Sequence, residues 1–127
     1  MAIVASVFAG LAALVHVYIF VLESIRWREP STWKIFGLSN QADADTTAPL
    51  AYNQGWYNLF LAIGAAVGVV LLWTDARQAG YALIFLAVGS MLAASLVLLS
   101  TGRSRLRAAA VQGTLPVVAL IFLVLSV

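Results

Sequence analysis

The fold of this chain is decided by residues 2–22, which read AIVASVFAGLAALVHVYIFVL and contain no Asp, Glu, Lys or Arg. A helix needs about 20 apolar residues to cross the hydrocarbon core of a bilayer. Residues 56–73, 80–99 and 108–127 are further stretches of similar length and character. Backbone polar groups in lipid must be satisfied within the segment, so we expect each stretch to be a helix. The sequence therefore predicts an all-α protein, a bundle of four transmembrane helices.

The composition supports a membrane protein and argues against other classes. Hydrophobic residues make up 63% of the 127 residues and charged residues 9%, whereas soluble domains average roughly 45–50% and about 25%. We therefore predict a single integral membrane domain, residues 1–127, with the lipid bilayer as its surroundings. The net charge is only +2 and the basic residues flank apolar stretches, which favours orientation and lipid headgroups over nucleic acid as their role. The absence of cysteine excludes disulfides and thiolate metal sites.

The basic residues predict the orientation. Six of the seven Lys and Arg lie in the first and third of the three gaps between the apolar stretches: Arg26, Arg28, Lys34, Arg103, Arg105 and Arg107. Basic loops tend to stay cytoplasmic, so we expect both termini on the extracytoplasmic side. No basic residue precedes residues 2–22 and no small-residue cleavage pattern follows them, so we expect a retained helix rather than a cleaved signal.

The connections between the helices differ in length and kind. We expect helices over about residues 2–25, 54–73, 79–100 and 107–127, with a tight turn in the second gap and a helix C-cap at Gly102 in the third. In the long first loop, Pro30 resembles a helix start and Gly37 a stop, which predicts a short interfacial helix. Residues 43–49 resemble an irregular stretch. This loop could be a lid over a site or an interfacial anchor.

Small residues four apart predict close helix packing. Gly64 and Gly68 form such a pair in the second apolar stretch, and Gly89 with Ala93 forms another in the third. The pairs could serve packing within the chain or a homo-oligomer through Gly64 and Gly68.

With this topology, the strongly polar residues of the apolar stretches all fall in the cytoplasmic half of the bilayer. They are His16, Glu23, Asn53, Gln54, Asn58 and Gln112. His16 and Glu23 are one heptad apart and share a helix face, separated by about 10 Å along the axis. Pro116 leaves the Gln112 carbonyl without its helical donor. An intramembrane ionisable residue is a functional hypothesis by default, so this asymmetry predicts a polar pocket.

We assign proton transfer to His16 with Glu23 as its charged partner. Ligand binding is assigned to Trp27, Asn53, Gln54, Tyr57, Asn58 and Gln112. Each has a plainer alternative. Glu23 could extend to the membrane edge or pair with Arg26, and the polar amides could satisfy a helix N-terminus or link helices. The aromatic residues Trp27, Trp33, Trp56 and Tyr57 could belong to an interfacial belt.

A resemblance to a known family is carried by the motif His16-Val17-Tyr18-Ile19-Phe20-Val21-Leu22-Glu23, by Trp27 and Phe36-Gly37, and by residues 53–64 (NQGWYNLFLAIG). In these residues the chain resembles a family of small bacterial integral membrane proteins, the domain of unknown function thirteen-oh-four. The motifs cover the first half of the chain, and the second half is similar in hydropathy. The resemblance implies a multi-pass protein of the bacterial inner membrane and no particular activity.

Three classes of function remain open at the level of sequence. The first is a pocket that binds or chemically modifies a small amphiphilic or lipid-like molecule, for example by isomerisation or hydration. The second is a proton-coupled transporter acting as a homo-oligomer, although such sites usually lie near the bilayer midplane. The third is a structural or partner-binding subunit. A metal or haem site is a further hypothesis, but one His and one nearby carboxylate make a thin ligand set unless subunits share ligands, so we expect no metal and no cofactor.

Overall fold

The computed structural model describes residues 1–127 and contains helices and no strands. Its helices are α1 (Ala2–Phe20) with a π-helical continuation (Val21–Ile25), α2 (Pro30–Trp33), α3 (Gln41–Leu72), α4 (Arg77–Ser100) and α5 (Leu106–Val124), the last preceded by a 3₁₀ turn (Arg103–Arg105).

Four helical stretches are long and apolar enough to cross a membrane: Ala2–Ile25, Gln41–Leu72, Arg77–Ser100 and Arg103–Val124. The predicted all-α class, with four spanning helices, is therefore confirmed. The short helix predicted in the first loop is also present as α2. It begins with Pro30 at its first turn, and the chain reverses at Gly37, whose φ of 80° is a conformation that suits glycine. The orientation of the termini stays a prediction.

The chain forms two compact units. Residues 1–15 and 61–127 make up the first, called here the apolar unit, and residues 16–60 make up the second, called the polar unit.

The apolar unit is packed around small side chains. Its buried cluster combines alanines of α1, α3 and α4 with a few larger residues, among them Leu72, Ile84, Met91 and Leu123. Apolar side chains gain little by leaving lipid for protein, so close van der Waals packing between helices supplies the stability. Alanine and glycine allow that approach.

Glycines bring α3 and α4 into backbone contact. A Cβ on Gly80 would overlap the Leu72 backbone and the Gly68 carbonyl, and a Cβ on Gly68 would press on Ile84. At Gly64 it would meet Ala87 at 3.4 Å. Gly64 and Gly68 therefore pack against α4 within the chain. A homo-oligomer through these residues stays a prediction.

Helix α3 begins earlier than expected. It starts at Gln41 rather than at about residue 54, so the expectation of an irregular stretch over residues 43–49 is wrong. Asn40 explains the start, since its Oδ1 accepts a hydrogen bond from the Asp43 backbone N–H at 2.8 Å, and its Nδ2 donates to the Asp43 carboxylate at 3.1 Å. The first of these bonds satisfies one of the N–H groups that a helix start leaves unpaired, and the second links the two side chains. Pro49 then lies inside the helix.

The close contact at Gly80 gives a direct test of the packing. We expect Gly80→Ala to lower the free energy of unfolding by about 1–3 kcal/mol, because the added methyl meets backbone atoms that cannot move aside. Gly89→Ala in the same helix is the matched control, since no heavy atom lies within 4 Å of its added Cβ. Thermal unfolding of the detergent-purified variants measures both. Equal midpoints for the two variants would contradict the α3–α4 packing described here.

Candidate functional site

Glu23 lies on the π-helical turn that ends the first spanning helix. The turn is closed by a hydrogen bond from the Arg26 N–H to the Val21 carbonyl at 2.9 Å, five residues back. Single π-turns are rare and occur often at functional sites. Glu23 is only 8% exposed, so this turn holds a carboxyl group inside the protein.

The buried carboxyl group is held by an amide from α3. Asn58 donates one Nδ2 hydrogen bond to Glu23 Oε1 at 2.7 Å and another to the Gln54 carbonyl at 3.2 Å. The Asn58 side chain is thereby fixed between its own helix and the π-turn. The second carboxyl oxygen, Oε2, accepts no hydrogen bond from the protein.

A glycine allows this approach of α3 to the π-turn. A Cβ on Gly55 would overlap Ser24 Oγ and would lie 3.1 Å from the Glu23 Cβ. Ser24 uses the same approach to donate a hydrogen bond to the Tyr52 carbonyl at 2.8 Å. Gly55 and Ser24 therefore set the position of Glu23 relative to α3.

Glu23 opens on a cleft of about 290 Å³ within the polar unit. This volume is at the lower limit of typical small-molecule sites, which range over about 300–1,000 Å³. We call it the Glu23 cleft; it is lined by Glu23, Ser24, Ile25, Trp27, Arg28, Ala48, Pro49 and Tyr52. Residues with acidic, hydroxyl, basic and aromatic side chains thus line one space.

The Trp27 side chain in this cleft has a fixed position. Its indole N–H donates to the Ala44 carbonyl at 3.0 Å and to Thr47 Oγ1 at 3.2 Å. The ring also packs against Phe36, with centroids 4.9 Å apart. Because these contacts come from α3 and from the first loop, Trp27 is held by both.

The arginines beside the cleft have different partners. Arg26 forms a short ion pair with Glu29, with 2.6 Å between Nη2 and Oε2, and this carboxylate raises the pKa of Arg26 above its ordinary value. The pair of Glu23 with Arg26 that the sequence allowed is therefore not formed. Arg28 lines the cleft and lies 3.9 Å from Asp45, too far for a hydrogen bond.

The first loop is packed onto the start of α3. Trp33 is 6% exposed, and its indole N–H donates to Gln41 Oε1 at 3.2 Å. Gln41 in turn donates to the Arg28 carbonyl at 3.0 Å. Trp33 is thus buried inside the polar unit, unlike an aromatic side chain of an exposed interfacial belt. A lid role for this loop stays a prediction.

The other predicted site residues lie elsewhere. His16 is fully buried on α1 and does not line the Glu23 cleft. The side chains of Asn53, Gln54 and Tyr57 are exposed, and Gln112 is half-buried on α5 in the apolar unit. Their roles in binding stay predictions. The structure brings together no group of three or more His, Asp or Glu side chains.

Sequence reasoning missed six residues of the cleft: Ser24, Ile25, Arg28, Ala48, Pro49 and Tyr52. Ser24 adjoins Glu23, and Gly55 adjoins Gln54. A glycine beside a predicted site residue indicates a place where two segments can approach closely, and this signal could have been used. Pro49 and Tyr52 were hidden because residues 43–49 looked irregular. Their place on α3 follows only from its early start at Gln41.

The aromatic neighbours of Tyr52 include one polar group without a partner. The Trp56 ring packs against Phe20 at 4.9 Å and against Tyr52 at 6.3 Å between centroids. Its indole N–H is buried and has no acceptor in the protein. Such groups are uncommon in folded proteins. We have no physical account of it.

Four spanning helices define the class as a multi-pass membrane protein. The chain belongs to the family described as "Protein of unknown function (DUF1304)", whose profile matches residues 10–124. The match includes every residue of the Glu23 cleft and extends through the second half of the chain, beyond the motifs of the first half. No curated protein and no solved structure matches the chain.

A double-mutant cycle tests the contact between Asn58 and Glu23. We expect Asn58→Leu to lower the free energy of unfolding by about 1–3 kcal/mol, because it leaves a buried carboxyl group without its donor. Combining it with Glu23→Leu should restore part of the loss, since no buried polar group then lacks a partner. Thermal unfolding in detergent gives the values. Purely additive losses would show that the two side chains are not coupled.

Proposed function

We propose that the Glu23 cleft binds the polar head of a small amphiphilic molecule. One observation carries the proposal: a buried carboxyl group, fixed through one oxygen by Asn58, has its other oxygen without a protein partner at a cleft. Burying a polar group is unfavourable unless it is hydrogen-bonded. A ligand that donates to Oε2 would give this oxygen the partner that the protein does not supply, and the cleft gives it room.

The place of the cleft along the chain supports an amphiphile over a fully water-soluble ligand. Glu23 belongs to the spanning stretch Ala2–Ile25, and Tyr52 and Pro49 belong to the spanning stretch Gln41–Leu72. Arg28 and the first loop follow directly outside the first of these stretches. A molecule whose head enters the cleft would therefore extend its apolar part along membrane-spanning helices.

Any chemistry in this cleft would use the carboxyl group of Glu23. A carboxyl group with one fixed oxygen and one open oxygen is suited to exchange a proton with a bound molecule. His16 is outside the cleft lining, so its part would be in proton supply or in packing of α1 rather than in direct contact at this cleft.

Filling the cleft should remove the ligand without altering its polar groups. We expect Ala48→Phe, which places a ring in the cleft, to reduce a co-purifying amphiphile by at least about tenfold, an effect of roughly 1.4 kcal/mol. The measurement is native mass spectrometry of the detergent-purified chain, followed by extraction and identification of bound molecules.

Ala42→Phe is the matched control, because Ala42 is an exposed residue of the same helix and does not line the cleft. It should retain the ligand at the wild-type level. Wild-type protein without a discrete bound molecule, or equal loading of both variants, would refute the proposal.

A further inference from the structure

The Glu23 cleft contains a carboxyl group that no basic side chain neutralises. Arg26 pairs with Glu29, and Arg28 makes a loose contact with Asp45. The partner of Glu23 is the neutral amide of Asn58. A buried carboxylate is strongly unfavourable without a counter-charge. A cationic group on the ligand would supply the counter-charge that no basic side chain provides to Glu23.

Aromatic side chains in the cleft lining also favour a positively charged group on the ligand. Trp27 and Tyr52 both line the cleft, and aromatic rings attract ammonium groups through their electron-rich faces. The Trp27 ring keeps its place because its N–H is bonded to Ala44 and Thr47. An ammonium group near Glu23 would thus meet a carboxylate and a preformed aromatic wall.

Arg28 offers a complementary charge in the same cleft. Its side chain is 67% exposed and its Nη1 lies 3.9 Å from Asp45 Oδ1, so its N–H groups make no short carboxylate contact. Guanidinium groups bind phosphate well because their parallel N–H groups match two phosphate oxygens. The cleft therefore combines an acceptor for a cation with a donor for an anion.

We propose that the Glu23 cleft selects a zwitterionic head with a primary ammonium group and a phosphate, the ammonium donating to Glu23 Oε2 and the phosphate contacting Arg28. This inference rests on the proposed binding function and specifies its ligand class. A primary ammonium has N–H donors for Oε2, whereas a quaternary ammonium has none. The ligand class is thus an amphiphile of the aminophospholipid type rather than a choline or an anionic lipid.

The test is a titration of the full-length protein in detergent with three short-chain phospholipids of equal chain length, carrying ethanolamine, choline or glycerol heads. Binding is measured by native mass spectrometry. For the wild type we expect the ethanolamine lipid to bind at least about tenfold more tightly than the other two, as expected for a charge-assisted hydrogen bond. Glu23→Gln should abolish this preference, because the amide has no charge for the ammonium.

The arginines supply a matched pair of variants. Arg28→Gln should weaken the binding of all three lipids, since each carries a phosphate. Arg26→Gln should leave every affinity unchanged, because Arg26 pairs with Glu29 outside the cleft. Thermal unfolding of each variant checks that it is folded. If Glu23→Gln does not fold, two results decide the question. They are the order of the three lipid affinities in the wild type and the lipid affinities of the two arginine variants.

The outcomes separate this inference from the proposed function. Tighter binding of the glycerol or choline lipid, or an ethanolamine preference that survives in Glu23→Gln, would overturn the ligand class. If a co-purifying molecule is lost in Ala48→Phe but has no ammonium, the cleft is a binding site and only the ligand class is wrong. If no ligand depends on Ala48, both proposals fail.

Discussion

The hydrogen bond from Asn58 to Glu23 is the interaction on which the polar unit depends. A carboxyl group inside a membrane-spanning stretch needs a donor, because lipid supplies none. Asn58 supplies it from α3, and the Gln54 carbonyl holds the amide in the required orientation. Beside this contact, Gly55 lets α3 approach Ser24 closely, and the Ser24 hydroxyl donates to the carbonyl of Tyr52, a residue of the cleft lining.

The π-turn shows how a local departure from α-helical geometry serves this interaction. In a regular α-helix each N–H bonds to the carbonyl four residues back, whereas the Arg26 N–H reaches the Val21 carbonyl. The wider turn changes the direction in which Glu23 leaves the helix axis and ends the helix before Arg26. The charged residues that follow lie outside the spanning stretch. Helix termination and positioning of the carboxyl group are thus achieved by the same turn.

Packing in the two units follows different rules. The apolar unit depends on small side chains and on glycines such as Gly68 and Gly80, where backbones touch. The polar unit depends on side-chain hydrogen bonds to backbone carbonyls, as from Ser24 to Tyr52 and from Trp27 to Ala44. Hydrogen bonds to carbonyls specify position more strictly than alkyl contacts, and they fix the side chains around the Glu23 cleft.

The sequence by itself determined the all-α class, the four spanning stretches, the short helix that begins at Pro30, and the place of Glu23 and Asn58 as rare polar groups in or beside apolar stretches. These follow from hydropathy, from turn residues and from the rarity of polar groups in apolar stretches, all of which are local properties. Only the tertiary structure decided that Asn58 meets Glu23, that Ser24, Arg28 and Tyr52 join the cleft, and that Asn53, Gln54 and Tyr57 are exposed. The physical reason is that helix register depends on contacts between helices. A glycine at position 55 and a π-turn at residues 21–25 set that register, and hydropathy is insensitive to both.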